Sequence, residues 1–351
     1  MGTEWPTFDH HNYSDSIKLA FNLASAAEIG HCILIVGPSG VGKTTILHSL
    51  LDMLVNERKS WPEGELRHIY ISCDREAVGG ITRNVAVDLN RELGNPFVAL
   101  RHDASHLFAP VRPRMNEHDL RESFRLQAAQ RNTRYVGIDA MENIRPSTEI
   151  SAEARFDSIK SLVRPHQKHE KAHEMTLIMA GHYNLLRLWR ANAQLGRRVT
   201  EVPVLPYQKT ARDINRFDDL LRLVTPIYPL GRGRSLSDWN DVLFSLSVGS
   251  VGLLKKLLDD ALVRMGLRHG TILGLEDIIK AAPAKSKFEY YRRDMEGFWP
   301  FVETSASDEI VAAARAREAE RDSTEVPSSA MKKARIGRSV GPRDPVGGCV
   351  A

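Results

Sequence analysis

Residues 37–45 read GPSGVGKTT, and they follow the apolar run CILIV (32–36) and precede the helix-like segment ILHSLL (46–51). The stretch matches the phosphate-binding pattern G-x-x-x-x-G-K-[ST] at every position, and a strand before it with a helix after it is the context that the pattern requires. The glycines allow a tight turn in which successive backbone N–H groups point at phosphate oxygens, at the positive end of a helix. The sequence therefore predicts a P-loop.

The residues of this loop are the predicted binding site for ATP and Mg²⁺. Lys43 would reach the outer phosphates, and Thr44 would offer its hydroxyl to Mg²⁺. The backbone of the loop would surround the phosphate chain. Nucleotide contacts are accordingly assigned to Gly37, Pro38, Ser39, Gly40, Val41, Gly42, Lys43, Thr44 and Thr45.

The composition is that of an ordinary globular protein and leaves the partners open. With 351 residues, of which 42% are hydrophobic and 26% charged, the chain can form one large domain with a smaller companion. The formal charge of +4 is compatible with a nucleic-acid partner but is too small to indicate one. The distribution of charge along the chain has to decide that question.

The cysteine spacing and the absence of long apolar runs favour a cytoplasmic protein. Cys32, Cys73 and Cys349 lie far apart, which excludes a disulfide framework and a zinc site with C-x-x-C spacing. Residues 1–16 have neither the basic start nor the apolar stretch of a signal peptide, and no apolar run reaches the length of a membrane span. We expect a cytoplasmic protein with no membrane partner.

Strand-like runs and helix-like segments alternate after the P-loop. Helix-like segments separate the runs that are rich in β-branched and apolar residues, at 67–73, 135–139, 175–181 and 199–205. This rhythm predicts an α/β fold with a parallel sheet flanked by helices. From residue 210 the strand signal disappears, and helix-like segments up to residue 282 predict a small all-α lid.

These segments divide the chain into predicted parts. They are an N-terminal extension (1–13), a P-loop ATPase core (14–208), a helical lid (209–284) and a basic, aromatic C-terminal segment (285–351). Within the last part, residues 331–343 contain five cations and no acid. That composition predicts a disordered basic tail.

A carboxylate ends the strand-like run at 135–139. Asp139 is the predicted Walker B residue, because Mg²⁺ and its water shell need an anion at the end of a buried strand beside the P-loop. Many ATPases place Glu directly after this Asp to orient the attacking water, but here Ala140 follows. Either Glu142 takes that part from two residues further on, or hydrolysis is slow and another group orients the water.

Further polar residues lie near the last two strand-like runs. His182 and Asn184 follow the run at 175–181, where a polar side chain can contact the γ-phosphate or the attacking water. Arg197 and Arg198 precede the last run. They are either an arginine finger for the nucleotide of a neighbouring subunit or two solvent-facing residues.

The segment from residue 100 to 134 is rich in arginine. It holds few acids by comparison, so some of its cations are candidates for phosphate contacts to DNA. The alternative is a solvated helix face. The residues concerned are Arg101, Arg112, Arg114, Arg121, Arg125, Arg131 and Arg134.

The order of these motifs resembles a known family. The chain is similar to AAA+ ATPases of the TniB/TnsC type, which regulate Tn7-like and Tn5053-like transposition. The similarity covers residues 14–282. It is carried by GPSGVGKTT, by YVGIDAMENI (135–144), by TLIMAGHYNLL (176–186), by the GRR at 196–198 and by GSVGLLKKLL (249–258).

The resemblance implies an ATP-driven homo-oligomer, a ring or a filament, on double-stranded DNA. Such an assembly would recruit or activate a transposase at a target marked by a target-selector protein. The family's roles fall on Lys43 and Thr44 (nucleotide and Mg²⁺), Asp139 (Walker B), His182 to Asn184 (first sensor) and Arg197 with Arg198 (arginine finger).

Two positions depart from the family pattern. Ala140 stands where the Walker B Glu is usual, and Leu253 stands where the arginine of the second sensor is usual. With both groups missing, ATP binding would matter more than turnover, and an assembled state would be long lived.

Two other classes of function stay open beside transposition. One is an AAA+ or STAND-like NTPase that acts in signalling or defence through nucleotide-gated oligomerisation. The other is a small-molecule kinase on a P-loop scaffold, which the size of the lid and the lack of a compact acceptor-binding insert disfavour. Stimulation of ATPase activity by DNA separates the first of these from the transposition regulator.

Overall fold

Five parallel strands form one sheet in the spatial order β2-β3-β4-β1-β5. Each strand overlaps a strand-like run of the sequence, so the expected α/β fold with a parallel sheet is confirmed. The strand that leads into the P-loop lies between β4 and β5. The bounds are β1 (Cys32–Gly37), β2 (His68–Ser72), β3 (Tyr135–Asp139), β4 (Thr176–His182) and β5 (Val199–Pro203).

The computed structural model describes most of the first 302 residues. The chain divides into two compact units, Met1–Val302 and Glu303–Ala351, and all the described residues belong to the first. They are residues 5, 11–26, 31–56, 62–73, 81–96, 98, 115–143, 158–159, 161–162, 175–190, 199–266 and 272–302. The basic tail predicted over 331–343 lies outside these ranges.

Helices cover the sheet and then continue without further strands in the described part of the chain. Those of the α/β core are α1 (His11–Ser25), α2 (Lys43–Asn56), α3 (Ile81–Glu92), α4 (Glu117–Gln130) and α5 (Leu185–Arg190). Those that follow are α6 (Ala211–Val224), α7 (Asn240–Ser247), α8 (Val251–Met265), α9 (Leu275–Ala281), α10 (Lys285–Glu296) and α11 (Trp299–Val302).

The side chains of β1 alternate between two cores, one on each face of the sheet. Ile33 and Ile35 pack in the core that contains side chains of α1 and α2. Cys32 and Leu34 pack in the core that contains side chains of α3 and α4. A strand covered on both faces reads as a continuous apolar run, which explains why CILIV precedes the P-loop.

The helices α6 to α9 build a separate apolar cluster, as expected for an all-α lid. Phe217 of α6 is fully buried there, and its ring meets that of Phe244 edge to face at 5.1 Å. Side-chain caps define where two of the helices begin: Thr210 accepts a hydrogen bond from the backbone N–H of Asp213, and Ser250 accepts one from Leu253. The start of each of these two helices is therefore fixed by a side-chain cap as well as by helix propensity.

The chain returns to the α/β core after the lid. Met295 at the end of α10 joins the core of α1 and α2, whereas Phe298 joins the core of α3 and α4. The first part of the C-terminal segment is therefore helical and packed, whereas its composition predicts only a basic, aromatic segment. No helix among the described residues is long and apolar enough to cross a membrane.

Candidate nucleotide-binding site

Strand register brings three chemically distinct segments to one edge of the sheet. Gly37 at the end of β1 pairs with His182 at the end of β4. Asp139 ends β3, whose Ile138 pairs with Met179 of β4. Because the carboxyl ends of parallel strands meet at the same edge, the P-loop, Asp139 and His182 are neighbours.

The P-loop has the backbone shape that its glycines were expected to provide. Gly40 and Gly42 have φ of +80° and +96°, a region that is costly for residues with a Cβ. A Cβ on Gly37 would lie 2.7 Å from the carbonyl oxygen of Val204. Lys43 folds back over this loop, and its Nζ donates to the carbonyl oxygen of Pro38 at 2.7 Å.

Lys43 is the cationic centre of the site. Its burial lowers its pKa, and the carboxylates of Glu142, Asp294 and Asp139 partly offset that effect. Three acids therefore surround one lysine at the edge of the sheet. Phosphate oxygens would supply the same negative charge to Lys43 when a nucleotide is present.

Thr44 and Asp139 are in direct contact. The Thr44 hydroxyl donates to Asp139 Oδ2 at 2.6 Å, and Tyr70 donates to the same oxygen at 3.3 Å. Oδ1 of Asp139 accepts the backbone N–H of Ala140 at 2.8 Å. One hydroxyl and one carboxylate fit Mg²⁺, which keeps several waters and takes further oxygens from phosphates. In the described part of the chain, no group of three or more His, Cys, Asp or Glu residues forms a metal cluster.

Glu142 reaches the sheet edge through an unusual turn. Ala140 has φ of +54°, and the chain then enters a short 3-10 helix, Met141–Asn143. This turn places Glu142 so that its Oε2 accepts the backbone N–H of His182 at 3.1 Å. The carboxylate thus lies beside His182, and together with Asp294 and Asp139 it acts to raise the pKa of Lys43.

His182 is held in one tautomer by its two hydrogen bonds. Its Nδ1 accepts the backbone N–H of Asn184 at 3.2 Å, so Nε2 carries the proton. That Nε2–H donates to Oδ1 of Asp294 at 2.6 Å. Asn184 contributes its backbone to this arrangement, while its own side chain is exposed.

Asp294 of α10 is the site residue that sequence reasoning missed. Its second oxygen accepts the backbone N–H of Ser39 in the P-loop at 2.9 Å. A signal existed in the sequence: Asp294 is an acid on a helix face that it shares with Tyr291, Met295 and Phe298, at helical spacing. An acid on an apolar stripe indicates a buried carboxylate with a specific partner.

The lid contacts the P-loop at the start of α8. The backbone N–H of Gly252 donates to the carbonyl oxygen of Gly40 at 2.7 Å, and a Cβ on Gly252 would lie only 2.5 Å from that oxygen. Leu253 follows, and its Cγ would lie 3.4 Å from a Cβ on Gly40. An apolar side chain therefore stands beside the loop where the family pattern has an arginine.

The predicted arginines are placed in part. Arg197 and Arg198 lie outside the described residues, as do Arg101, Arg112 and Arg114. On α4, Arg121 pairs with Glu117 and Arg125 pairs with Glu122. Both guanidinium groups are part-buried and also donate to a neighbouring segment, Arg121 to the hydroxyl of Ser158 and Arg125 to the carbonyl oxygen of Ser161, so these two pairs do not lie on a solvated face.

Comparison with known proteins agrees with the fold. A family profile described as an AAA domain matches residues 29–188. Among solved structures, the Aeropyrum pernix ORC1 protein in complex with DNA aligns with a TM-score of 0.53 and 15% identity, over 79% of this chain and 65% of that one. The Aeropyrum pernix ORC2 protein in ADPNP-ADP complexes aligns with a TM-score of 0.53 and 13% identity, over 80% and 69%.

These likenesses establish the fold and its class. At 15% and 13% identity they carry no residue roles by themselves, and this chain spans only 65% of the length of the ORC1 chain. A search of curated proteins finds no significant match. The match over residues 29–188 contains the P-loop, β3 and β4.

Proposed function

We propose, given the AAA domain and the AAA+ P-loop ATPase fold of this chain, that it is an ATP-driven regulator of DNA transposition. In this proposal the chain binds ATP with Mg²⁺, assembles as a homo-oligomer on double-stranded DNA, and recruits or activates a transposase at a target marked by a selector protein. In this proposal it acts in the cytoplasm, in association with DNA. Hydrolysis is slow and resets the assembled state.

The contact between Thr44 and Asp139 is the observation that carries the ATP-binding part of the proposal. It joins the last residue of the phosphate-binding pattern to the acid of β3 at 2.6 Å, beside the half-buried Lys43. Hydroxyl, carboxylate and lysine are the three groups that a P-loop site uses for Mg²⁺ and the outer phosphates. The loop residues 37–45 supply the backbone N–H groups.

For hydrolysis we assign Glu142 as the group that orients the attacking water. The support is its position: the turn at Ala140 brings its carboxylate to the end of β4, where it faces His182 and Lys43. His182 and Asn184 would contact the γ-phosphate or that water. Glu142 does not follow Asp139 directly but reaches the site through the turn at Ala140. A base placed in this way is consistent with slow turnover.

The DNA and transposase parts rest on the motif order and on fold likeness. The motifs at 37–45, 135–144, 176–186 and 249–258 follow the order of TniB/TnsC-type ATPases. The ORC1 protein, which shares the fold, was solved in complex with DNA. Arg197 and Arg198 are proposed as the arginine finger that completes the nucleotide site of a neighbouring subunit.

A nucleotide-gated switch in signalling or defence, of the STAND-like kind, is the second candidate. The observation that favours it is the lid contact, because Gly252 ties α8 to Gly40 and so links the lid to the state of the P-loop. A protein of this class would oligomerise with ATP alone. The transposition regulator would need duplex DNA as well.

Light scattering of the purified chain with a non-hydrolysable ATP analogue, with and without duplex DNA, tests the proposal. We expect oligomers only when both are present, with an affinity that falls steeply as salt rises because phosphate contacts dominate. Lys43→Ala should abolish assembly, and Lys256→Ala, a surface lysine paired with Asp260 on α8, should not. A monomer with both ligands present rules the proposal out, and oligomers without DNA favour the second candidate.

A further inference from the structure

The carboxylate of Asp294 has both of its oxygens engaged by the nucleotide site. Oδ2 accepts the N–H of Ser39 in the P-loop at 2.9 Å, and Oδ1 accepts the Nε2–H of His182 at 2.6 Å. Asp294 is 5% exposed. An acid from the C-terminal part of the chain therefore occupies two hydrogen-bond donors that belong to the phosphate-binding edge of the sheet.

Asp294 is an anion in this arrangement. Burial acts to raise its pKa, but the hydrogen bonds from His182 and from the N–H of Ser39 outweigh burial, and the pKa of Asp294 is lowered. It also contributes to the negative charge around Lys43. A buried, ionised carboxylate beside a lysine and a P-loop N–H resembles a phosphate group in both charge and hydrogen bonding.

We propose that Asp294 is an internal competitor for the terminal phosphate of ATP, and that ATP, rather than ADP, displaces it. A donor N–H can serve one anion at a time, and two anions in one partly dehydrated site repel each other strongly. His182 stands at the strand end where contact with the γ-phosphate is expected. ADP lacks that group and can bind the loop while Asp294 keeps His182.

Displacement of Asp294 would loosen the helices that carry it. The ring of Tyr183, the neighbour of His182, packs at a tilt against those of Phe298 and of Phe301 in α11, with ring centroids 5.4 Å apart in both cases. The guanidinium of Arg187 lies 5.6 Å from the centre of the Phe301 ring. Because His182 and Tyr183 are consecutive, a shift of His182 towards a phosphate disturbs the aromatic packing of Tyr183 that holds α10 and α11.

The site thus couples nucleotide identity to the C-terminal helices. With ADP or no nucleotide, Asp294 keeps its hydrogen bond to His182 and so holds α10 at the end of β4. With ATP, α10 and α11 are released and the surface of β4 and α5 beneath them opens. This inference rests on the proposed binding of ATP at the P-loop, but not on DNA or on transposition.

Asp294→Asn tests it directly, because the amide keeps the shape and removes the charge. We expect the full-length variant to bind a non-hydrolysable ATP analogue at least about tenfold more tightly than the wild type, since a charged hydrogen-bonding competitor is lost. Its affinity for ADP should change by less than about threefold. Glu289→Gln, on the same helix but exposed and paired with Arg292, should change neither affinity.

Hydrogen exchange of the wild type over residues 285–302 supplies a second measurement that needs no variant. Faster exchange with the ATP analogue than with ADP supports the inference, and equal exchange overturns it. Equal analogue affinities of wild type and Asp294→Asn overturn it too, as does weaker binding by the variant. If no protein binds nucleotide, the proposed function fails together with the inference. If the affinity shift is present but no oligomer forms on DNA, only the proposed function fails.

Discussion

The hydroxyl of Thr44 lies 2.6 Å from Oδ2 of Asp139, although the two residues are 95 positions apart in the sequence. Thr44 lies in the P-loop and in the first turn of α2, and Asp139 ends β3, which is separated from β1 by β4. The sheet order therefore creates this pair. A Mg²⁺ ion would be held by the same two oxygens that this hydrogen bond joins.

Removing the charge of Asp139 should make nucleotide binding insensitive to Mg²⁺. We expect Asp139→Asn to weaken the binding of Mg²⁺–ATP about tenfold or more, while ATP binding in EDTA changes by less than about twofold. Calorimetry with and without Mg²⁺ measures both. Asp88→Asn, which removes a surface partner of Arg91, is the matched control. Equal losses in both conditions would show that Asp139 acts on folding and not on the metal.

Glu142→Gln should stop turnover and leave binding intact. A positioned carboxylate base contributes about 10²–10⁴-fold to a rate, so we expect hydrolysis to fall at least about a hundredfold. Affinity for a non-hydrolysable analogue should stay within about twofold. Asn143→Ala, an exposed change in the same 3-10 helix, is the control. An unchanged rate would remove Glu142 from the mechanism.

Ala140 pays a conformational cost that glycine would avoid. Its φ of +54° lies in the left-handed region, which costs about 1–2 kcal/mol for a residue with a Cβ, whereas glycine adds about 0.5–1 kcal/mol of unfolded-state entropy. We expect Ala140→Gly to stabilise the protein against urea by up to about 1 kcal/mol. Asn132→Gly, at the same φ of 54°, should gain less because asparagine tolerates this region. A destabilised Ala140→Gly variant would contradict this account of the turn.

Gly252→Ala should separate the lid from the P-loop. The new Cβ would lie 2.5 Å from the carbonyl oxygen of Gly40, so the backbone contact cannot persist. Overpacking of this kind costs about 1–3 kcal/mol, and we expect ATP affinity to fall with stability. Gly231→Ala, whose Cβ would meet its nearest atom at 3.6 Å, should be tolerated. Thermal unfolding with and without nucleotide measures both effects, and an unchanged affinity would show that the lid contact is passive.

Asp218 should make the lid sensitive to acid. Burial acts to raise its pKa, but hydrogen bonds from Ser237 and Asn240 and the charge of Arg222 outweigh burial, so its pKa in the folded state is lowered. A lowered pKa gives stability that is present above the unfolded value of about 4 and is lost as pH falls through the folded pKa.

We expect Asp218→Asn to cost about 1–2 kcal/mol at pH 7 and to flatten the loss of stability below about pH 4. Asp260→Asn, an exposed partner of Lys256, should cost less than about 0.5 kcal/mol. Urea unfolding at pH 7 and pH 4 provides the measurement. An equally steep acid loss in Asp218→Asn would place the sensitive group elsewhere.

Local patterns were enough to predict the fold. The run 32–36 is apolar without a break because β1 is covered on both faces, and the spacing of GPSGVGKTT dictates a strand on one side and a helix on the other. The Walker B acid and the sensor positions followed from the same rule, since each ends an apolar run. Their roles in catalysis remain predictions.

Long-range contacts were beyond the reach of such patterns. Asp294 and Ser39 are 255 positions apart, and nothing in the sequence near either residue predicts their contact. The left-handed turn at Ala140 could not be predicted from the sequence either, because alanine does not favour this conformation and the surrounding structure imposes it. These are places where the surrounding structure decides a conformation that the local sequence does not favour.

The position of β1 in the sheet also has a consequence for the folding of the protein during its synthesis. Its pairing partners are residues 177–182 and 199–203, so during synthesis β1 stays without a neighbour until the ribosome has passed β4, and it lacks its second neighbour until β5 has been made. A nascent chain that already contains GPSGVGKTT and Asp139 therefore carries an unpaired, strongly apolar strand, which is a target for chaperones and for aggregation. The nucleotide site is completed late in translation. A short N-terminal fragment of the chain, fused to another protein, would therefore lack its activity.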